Sequence, residues 1–133
     1  MALQDLLDTI QTRLEAQLTT EVFHLEAPQN QDLPLTVWSS TSSQLNQTMS
    51  GSITRVDVGL EFDTWSLKAL GLDAVGTAVN IDDLIFTAMQ GFSALPSSGF
   101  GVATVIFETR GVRFIEEDTI RVTSTAVITA YTT

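Results

Sequence analysis

Between Ile53 and Trp65 the chain alternates with a period of two. Val56, Val58, Leu60 and Phe62 fall on one side, and Asp57, Gly59, Glu61 and Asp63 fall on the other. Successive strand side chains point to opposite faces, so this pattern is that of a strand with one buried face. The period then changes. Leu72, Val75, Ala78, Val79, Asp82, Ile85, Ala88, Met89 and Phe92 recur at helical spacing and predict a long helix over about residues 69–90. A half-buried strand followed by an amphipathic helix commits the chain to layering helix on sheet.

The remaining segments extend that plan. Leu3, Leu6, Leu7, Ile10, Leu14 and Leu18 mark an amphipathic helix over about residues 2–18, and Asp5 and Asp8 suit the positive end of its dipole. Val22 to Leu25 reads as a short strand, residues 27–32 as a loop, and Leu35 to Trp38 as a second strand opened by Pro34. Residues 39–52 have almost no apolar periodicity and read as a mobile loop. Gly71 and Gly76 weaken the start of the long helix, and Asp73 is an alternative N-cap. Gly91 reads as its glycine C-cap, with Phe92 supplying the hydrophobic contact. Val102 to Glu108 and Ile120 to Tyr131 read as two closing strands. The expected fold is α+β in one domain: a mostly antiparallel or mixed curved sheet with both helices on one face.

Composition narrows the function. The 133 residues hold 16 acids and 6 bases, a formal charge of −10, with no cysteine and one histidine. Affinity for phosphate backbones comes from clustered Lys and Arg, so a protein built to grip nucleic acid is disfavoured. Disulfides and thiolate chemistry are excluded, and most zinc sites with them. Nineteen threonines and eleven serines predict a sheet with one hydroxyl-rich face, exposed or covered by another subunit. The N-terminus lacks the basic and apolar regions of a signal peptide. Leu84 to Phe107 has no charged residue, but the turn cluster at residues 95–101 breaks it, so a helix end, a loop and a buried strand are expected there instead of a membrane span.

No constellation supports catalysis. Asp82 and Asp83 diverge by about 100° around their helix, which suits a solvated face or a pairing between subunits better than a metal. Glu116, Glu117 and Asp118 lack the alternating ligands and glycine turn of a calcium loop and read as a charged turn. His24 lies among apolar neighbours without a partner motif and reads as structural. Gly99-Phe100-Gly101 is too short to cradle phosphate and reads as a turn. Arg110 and Arg113, close to Glu116, Glu117 and Asp118, predict a salt-bridge patch within or between subunits. Trp38 and Trp65 stand at strand ends, each a core anchor or an interface anchor. No catalytic, cofactor-binding or metal-ligating residue is expected. The interface candidates are Trp38, Gln44, Asn46, Met49, Trp65, Arg110, Arg113, Glu116, Glu117 and Asp118.

Read in order, several segments form a familiar series. They are the N-terminal amphipathic helix, Val22-Phe23-His24-Leu25-Glu26-Ala27-Pro28, Leu33-Pro34-Leu35-Thr36-Val37-Trp38 and Leu60-Glu61-Phe62-Asp63-Thr64-Trp65. The helix ending Ala88-Met89-Gln90-Gly91-Phe92 follows, then Arg113-Phe114-Ile115-Glu116-Glu117-Asp118-Thr119-Ile120-Arg121 leading into the last strand. This series resembles the tail completion proteins of long-tailed bacteriophages, also called tail terminators or tail-to-head joining proteins. The resemblance spans most of the chain and rests on the order of elements and a few side chains; segment 39–52 matches least. It implies a small α/β subunit assembled as a ring, usually a hexamer, in a virion put together in the host cytoplasm. Such a ring caps the head-proximal end of the tail tube, ends tube polymerisation and offers a docking surface to the head–tail connector. The implied partners are other copies of the chain, the tail-tube protein and the connector, with no cofactor and no membrane. If carboxylates line the lumen, DNA is repelled and passes through without specific binding. Two alternatives stay open: a tail-tube or head-completion subunit, and a small-molecule-binding α+β domain.

Overall fold

The computed structural model describes residues 3–18, 20–25, 34–47, 53–67, 72–90, 100–115 and 119–132. In chain order these form α1 (Leu3–Gln17), β1 (Glu21–His24), β2 (Leu35–Gln47), β3 (Ile53–Leu67), α2 (Leu72–Gln90), β4 (Phe100–Ile115) and β5 (Thr119–Thr132). The five strands make one mixed, unclosed sheet in the order β1-β2-β3-β5-β4. β1 runs parallel to β2, and every other neighbouring pair is antiparallel. The α+β class with both helices on one face is as expected.

The alternation in β3 decides which face the helices cover. Val58, Leu60 and Phe62 are buried, and in register with them stand Ile128, Ala126 and Ser124 of β5 and, opposite Phe62, Trp38 of β2. Onto this face α2 brings Ile81, Ile85, Ala88 and Met89, and α1 brings Leu7, Ile10 and Leu14, with Leu18 just past its end. Both sets recur at three- and four-residue steps, so each helix turns one apolar stripe inward. Burying a side chain of this size contributes about 1.5–3 kcal/mol, so this cluster dominates the stability.

Polar contacts fix α1 in place. The Trp38 indole N–H donates to Gln11 Oε1 at 2.6 Å, and the Gln11 amide donates to the Val22 carbonyl at 3.0 Å. Arg13 Nε donates to the Ala88 carbonyl at 2.9 Å, satisfying an acceptor in the last turn of α2. The His24 ring stacks on Trp38 with centroids 4.1 Å apart, consistent with a structural histidine. Leu25 ends the β1 ladder: its N–H donates to the Trp38 carbonyl, and its φ of 76° turns the chain away.

Three expectations need correction. Residues 39–47 are not a loop; they continue β2, paired along their length with β3 from Glu61 back to Ile53. Backbone hydrogen bonds order this hydroxyl-rich stretch, in which Leu45 is the one apolar residue, so hydropathy carries no sign of it. The first closing strand is also far longer than expected, running from Phe100 to Ile115. It therefore takes in Phe100 and Gly101, assigned above to a turn, and both Arg110 and Arg113. Finally, Trp38 is fully buried in the core, so it is not an interface anchor. The remainder of segment 39–52 (residues 48–52), the Gly91 cap and the 95–99 part of the turn cluster lie outside the described residues. Among those described, no helix is long and apolar enough to cross a membrane.

Candidate interaction surface

The helices cover one face of the sheet. Among the described residues nothing covers the other. Its central row is Asp57, Gly59, Glu61, Asp63 and Trp65 of β3, opposite Thr129, Val127, Thr125, Thr123 and Arg121 of β5. Both aspartates of this row and their threonine neighbours are partnered across strands. Thr129 Oγ1 donates to Asp57 Oδ1 at 2.7 Å, Thr123 Oγ1 donates to Asp63 Oδ1 at 2.5 Å, and the Thr109 and Thr125 hydroxyls share a bond of 2.8 Å. Arg55 Nε adds a 3.1 Å ion pair to Asp57. The Thr129 hydroxyl, with Arg55 beside it, holds the Asp57 carboxyl below its ordinary value against the opposing effect of burial. The hydroxyl-rich face expected from composition is this one.

The apolar part of the surface lies along β4. Ile106 is 61% exposed, and Val112 and Phe114 are 41% exposed. Arg121 lies over the Phe114 ring, 4.5 Å from its centroid. Ile115, at the strand end and by register on the opposite face, is 72% exposed. Large exposed apolar side chains in a row mark a surface suited to a partner.

A polar cluster joins β4 to the helix side. Between Thr109 and Val112 the β4 register shifts, so that Arg110 and Gly111 both stand against Ser124. Gly111 takes φ 66°, a left-handed conformation that costs other L-residues about 1–2 kcal/mol. A bulge of this kind re-aims a side chain, and here the guanidinium of Arg110 reaches α2. Its Nη2 donates to Asp83 Oδ1 at 2.6 Å, its Nε lies 3.9 Å from Asp82 Oδ2, and its Cζ sits 3.9 Å over the Phe86 ring. The Asp82 side chain is only 5% exposed. Ser124 Oγ donates to its Oδ1 at 2.5 Å and accepts the Gly111 N–H at 3.0 Å. Burial pushes the Asp82 carboxyl above its ordinary value; Ser124 and Arg110 oppose that shift and Asp83 adds to it. A shallow cleft of about 290 Å³ opens beside the cluster, lined by Val79, Asp82, Asp83, Arg110, Gly111 and Arg113.

Asp82 and Asp83, expected to diverge around the helix, both reach the Arg110 guanidinium, and Asp82 is no solvated carboxylate. It sits on the buried stripe, four residues after Ala78 and three before Ile85, and that spacing was its sequence signal. Among the described residues, the acids that Arg110 meets are these two helix carboxylates. Glu116, Glu117 and Asp118 lie outside the described residues, as does Met49. Gln44 and Asn46 take register positions in β2 opposite Asp57 and Arg55. Trp65 is half-buried on the helix-free face, opposite Leu35 and Arg121. Among the described residues no three His, Cys, Asp or Glu side chains are grouped to hold a metal ion.

Compared with known proteins, the chain matches no protein-family model and no curated protein sequence.

Proposed function

We propose that this chain is a structural virion protein: a tail terminator, or tail completion, subunit that forms a ring at the head-proximal end of a phage tail tube. The ring ends tube polymerisation and joins the tail to the head connector. One observation carries the reading. Among the described residues one face of the sheet is free of helices and carries paired carboxylates and hydroxyls, flanked at one edge by a sixteen-residue strand with exposed apolar side chains. A closed ring needs a heterologous interface, in which one patch meets a different patch on the next copy. A strand at one end of a sheet and a different strand at the other meet that need. The acids of β3 suit a wall past which DNA slides, because like charge keeps the duplex from adhering.

Native mass spectrometry over a concentration series, with negative-stain microscopy of the same samples, tests the reading. A single closed species, able to stop growth of purified tube protein, is the expected result. A chain that stays monomeric at high concentration both alone and with tube protein overturns it. The same open edges favour one second reading, a tail-tube subunit, because head-to-tail contacts that do not close propagate into filaments. Long rods formed by this chain alone decide for that reading.

A further inference from the structure

Strand directions follow from the pairings. β2 is antiparallel to β3, β3 to β5 and β5 to β4, so β4 runs opposite to β2. The two strands lie toward opposite ends of the sheet. β1 covers only Leu35 to Trp38 of β2, and among the described residues nothing pairs with the far side of β2 over residues 39–47 or with the outer side of β4. Natural sheets guard such edges with charge or proline. Here Ser39 to Gln47 holds neither, and Phe100 to Phe107 holds neither.

These two unguarded stretches stand at the same height in the sheet. Through Gly59 and Val127, Ser42 is level with Ile106; through Asp57 and Thr129, Gln44 is level with Thr104. The charged part of β4, from Glu108 to Arg113, lies mostly below this level, near the Trp65 end.

We propose that the open edge of β4 over residues 100–107 pairs, antiparallel, with the open β2 edge over residues 39–47 of a second copy. The inference rests on the ring reading above and names its interface. A second copy displaced sideways keeps its strand directions, so its β2 meets β4 in the antiparallel sense. One interface then covers both unguarded stretches of every subunit, and β4 past Phe107 lies at the level where β1 already holds β2. A two-fold pairing of β4 with β4 covers one edge, leaves β2 exposed and stops at a dimer. Register is restricted as well. A slip of one residue turns the faces over, so the pairing keeps Ile106 level with Ser42 or displaced to the next position of the same face, Gln44.

The absence of cysteine makes disulfide trapping clean. Within one chain, β2 and β4 are three strand spacings apart, about 14 Å, which is beyond the reach of a disulfide. Any bond between them therefore joins two copies. The test oxidises I106C/S42C and I106C/Q44C, with I106C alone and I106C/S43C as controls, and resolves the products on non-reducing gels beside native mass spectra. The expected result is a covalent ladder up to ring size in at least one of the first two variants. Both controls then lack the ladder. A dimer of the parent chain in the native spectra that I106C alone traps covalently means that β4 pairs with β4, and overturns the proposal. So does a ladder of equal strength from I106C/S43C. Oligomers in the native spectra without any trapped pair overturn the edge pairing and leave the ring standing. Monomers throughout, with no trapped pair, overturn both.

Discussion

The two faces of β3 differ by one residue step and behave as different materials. Val58, Leu60 and Phe62 face the helices and are at most 1% exposed. Asp57 and Asp63, from the same thirteen-residue alternation, face away and are each held by a threonine of β5. The first face is held by the removal of apolar area from water, the second by hydrogen bonds that water can compete for. The first therefore governs whether the chain folds, and the second is left available to a partner.

That contrast is most sharply tested by truncating matched apolar residues. Phe62→Ala is expected to cost about 3–5 kcal/mol in urea unfolding. Ile106→Ala, on the exposed strand, is expected to stay within about 0.5 kcal/mol while weakening assembly in native mass spectra. Equal stability losses would break the division between faces.

Next in size is the polar cluster on the buried side. Ser124→Ala removes the donor to the Asp82 carboxylate and the acceptor of the Gly111 N–H together, with an expected cost of about 1–3 kcal/mol. Faster amide exchange at Gly111, but not at Val58, is the accompanying signature. A silent substitution would show that the bulge is held by its backbone alone.

The half-buried hydroxyl–carboxylate pairs of the other face come third. Thr129→Val is expected to cost about 0.5–1.5 kcal/mol at neutral pH. The sign of its pH dependence follows from the lowered Asp57 value. That carboxylate stabilises the fold above its unfolded-state pKa, and the contribution is lost as pH falls through the lower folded-state value. The variant should therefore lose less stability on acidification than the parent, and a carbon-detected titration of Asp57 should move toward the ordinary range.

The smallest effect has the opposite sign. The Asp82 value is raised in the fold, so the folded state binds its proton first. Between the ordinary carboxylate value and the raised one, this residue makes stability increase as pH falls. Asp82→Asn should remove that slope. An unchanged pH–stability curve in this window would show that Arg110 and Ser124 fully offset the burial.

The sequence made much of the helix-covered half legible. The alternation in β3, the stripes of α1 and α2 and the last strand were all read from period alone, because burial on one face leaves a repeating record in the side chains. Segment 39–47 left no such record. Its serines are ordered by backbone pairing with β3, and a backbone ladder is blind to side-chain hydropathy. Asp82 was legible in position but not in environment: its place on the apolar stripe was visible, while Ser124, 42 residues away, was not. Arg110 was read against the nearest acids in the chain, which lie outside the described residues; its contact with α2 across the bulge at Gly111 left no sign in the sequence.

The sequence by itself determined the class of the fold, the order of its elements and the two faces of the central strand. These are local properties, set by the step between neighbouring residues along one element. Only the tertiary structure decided the strand order, the burial of Trp38, the partners of Asp82 and Arg110, and which edges stand open. Each of these depends on contacts between distant segments, where a backbone ladder or a single bulge outweighs whatever the adjacent side chains prefer.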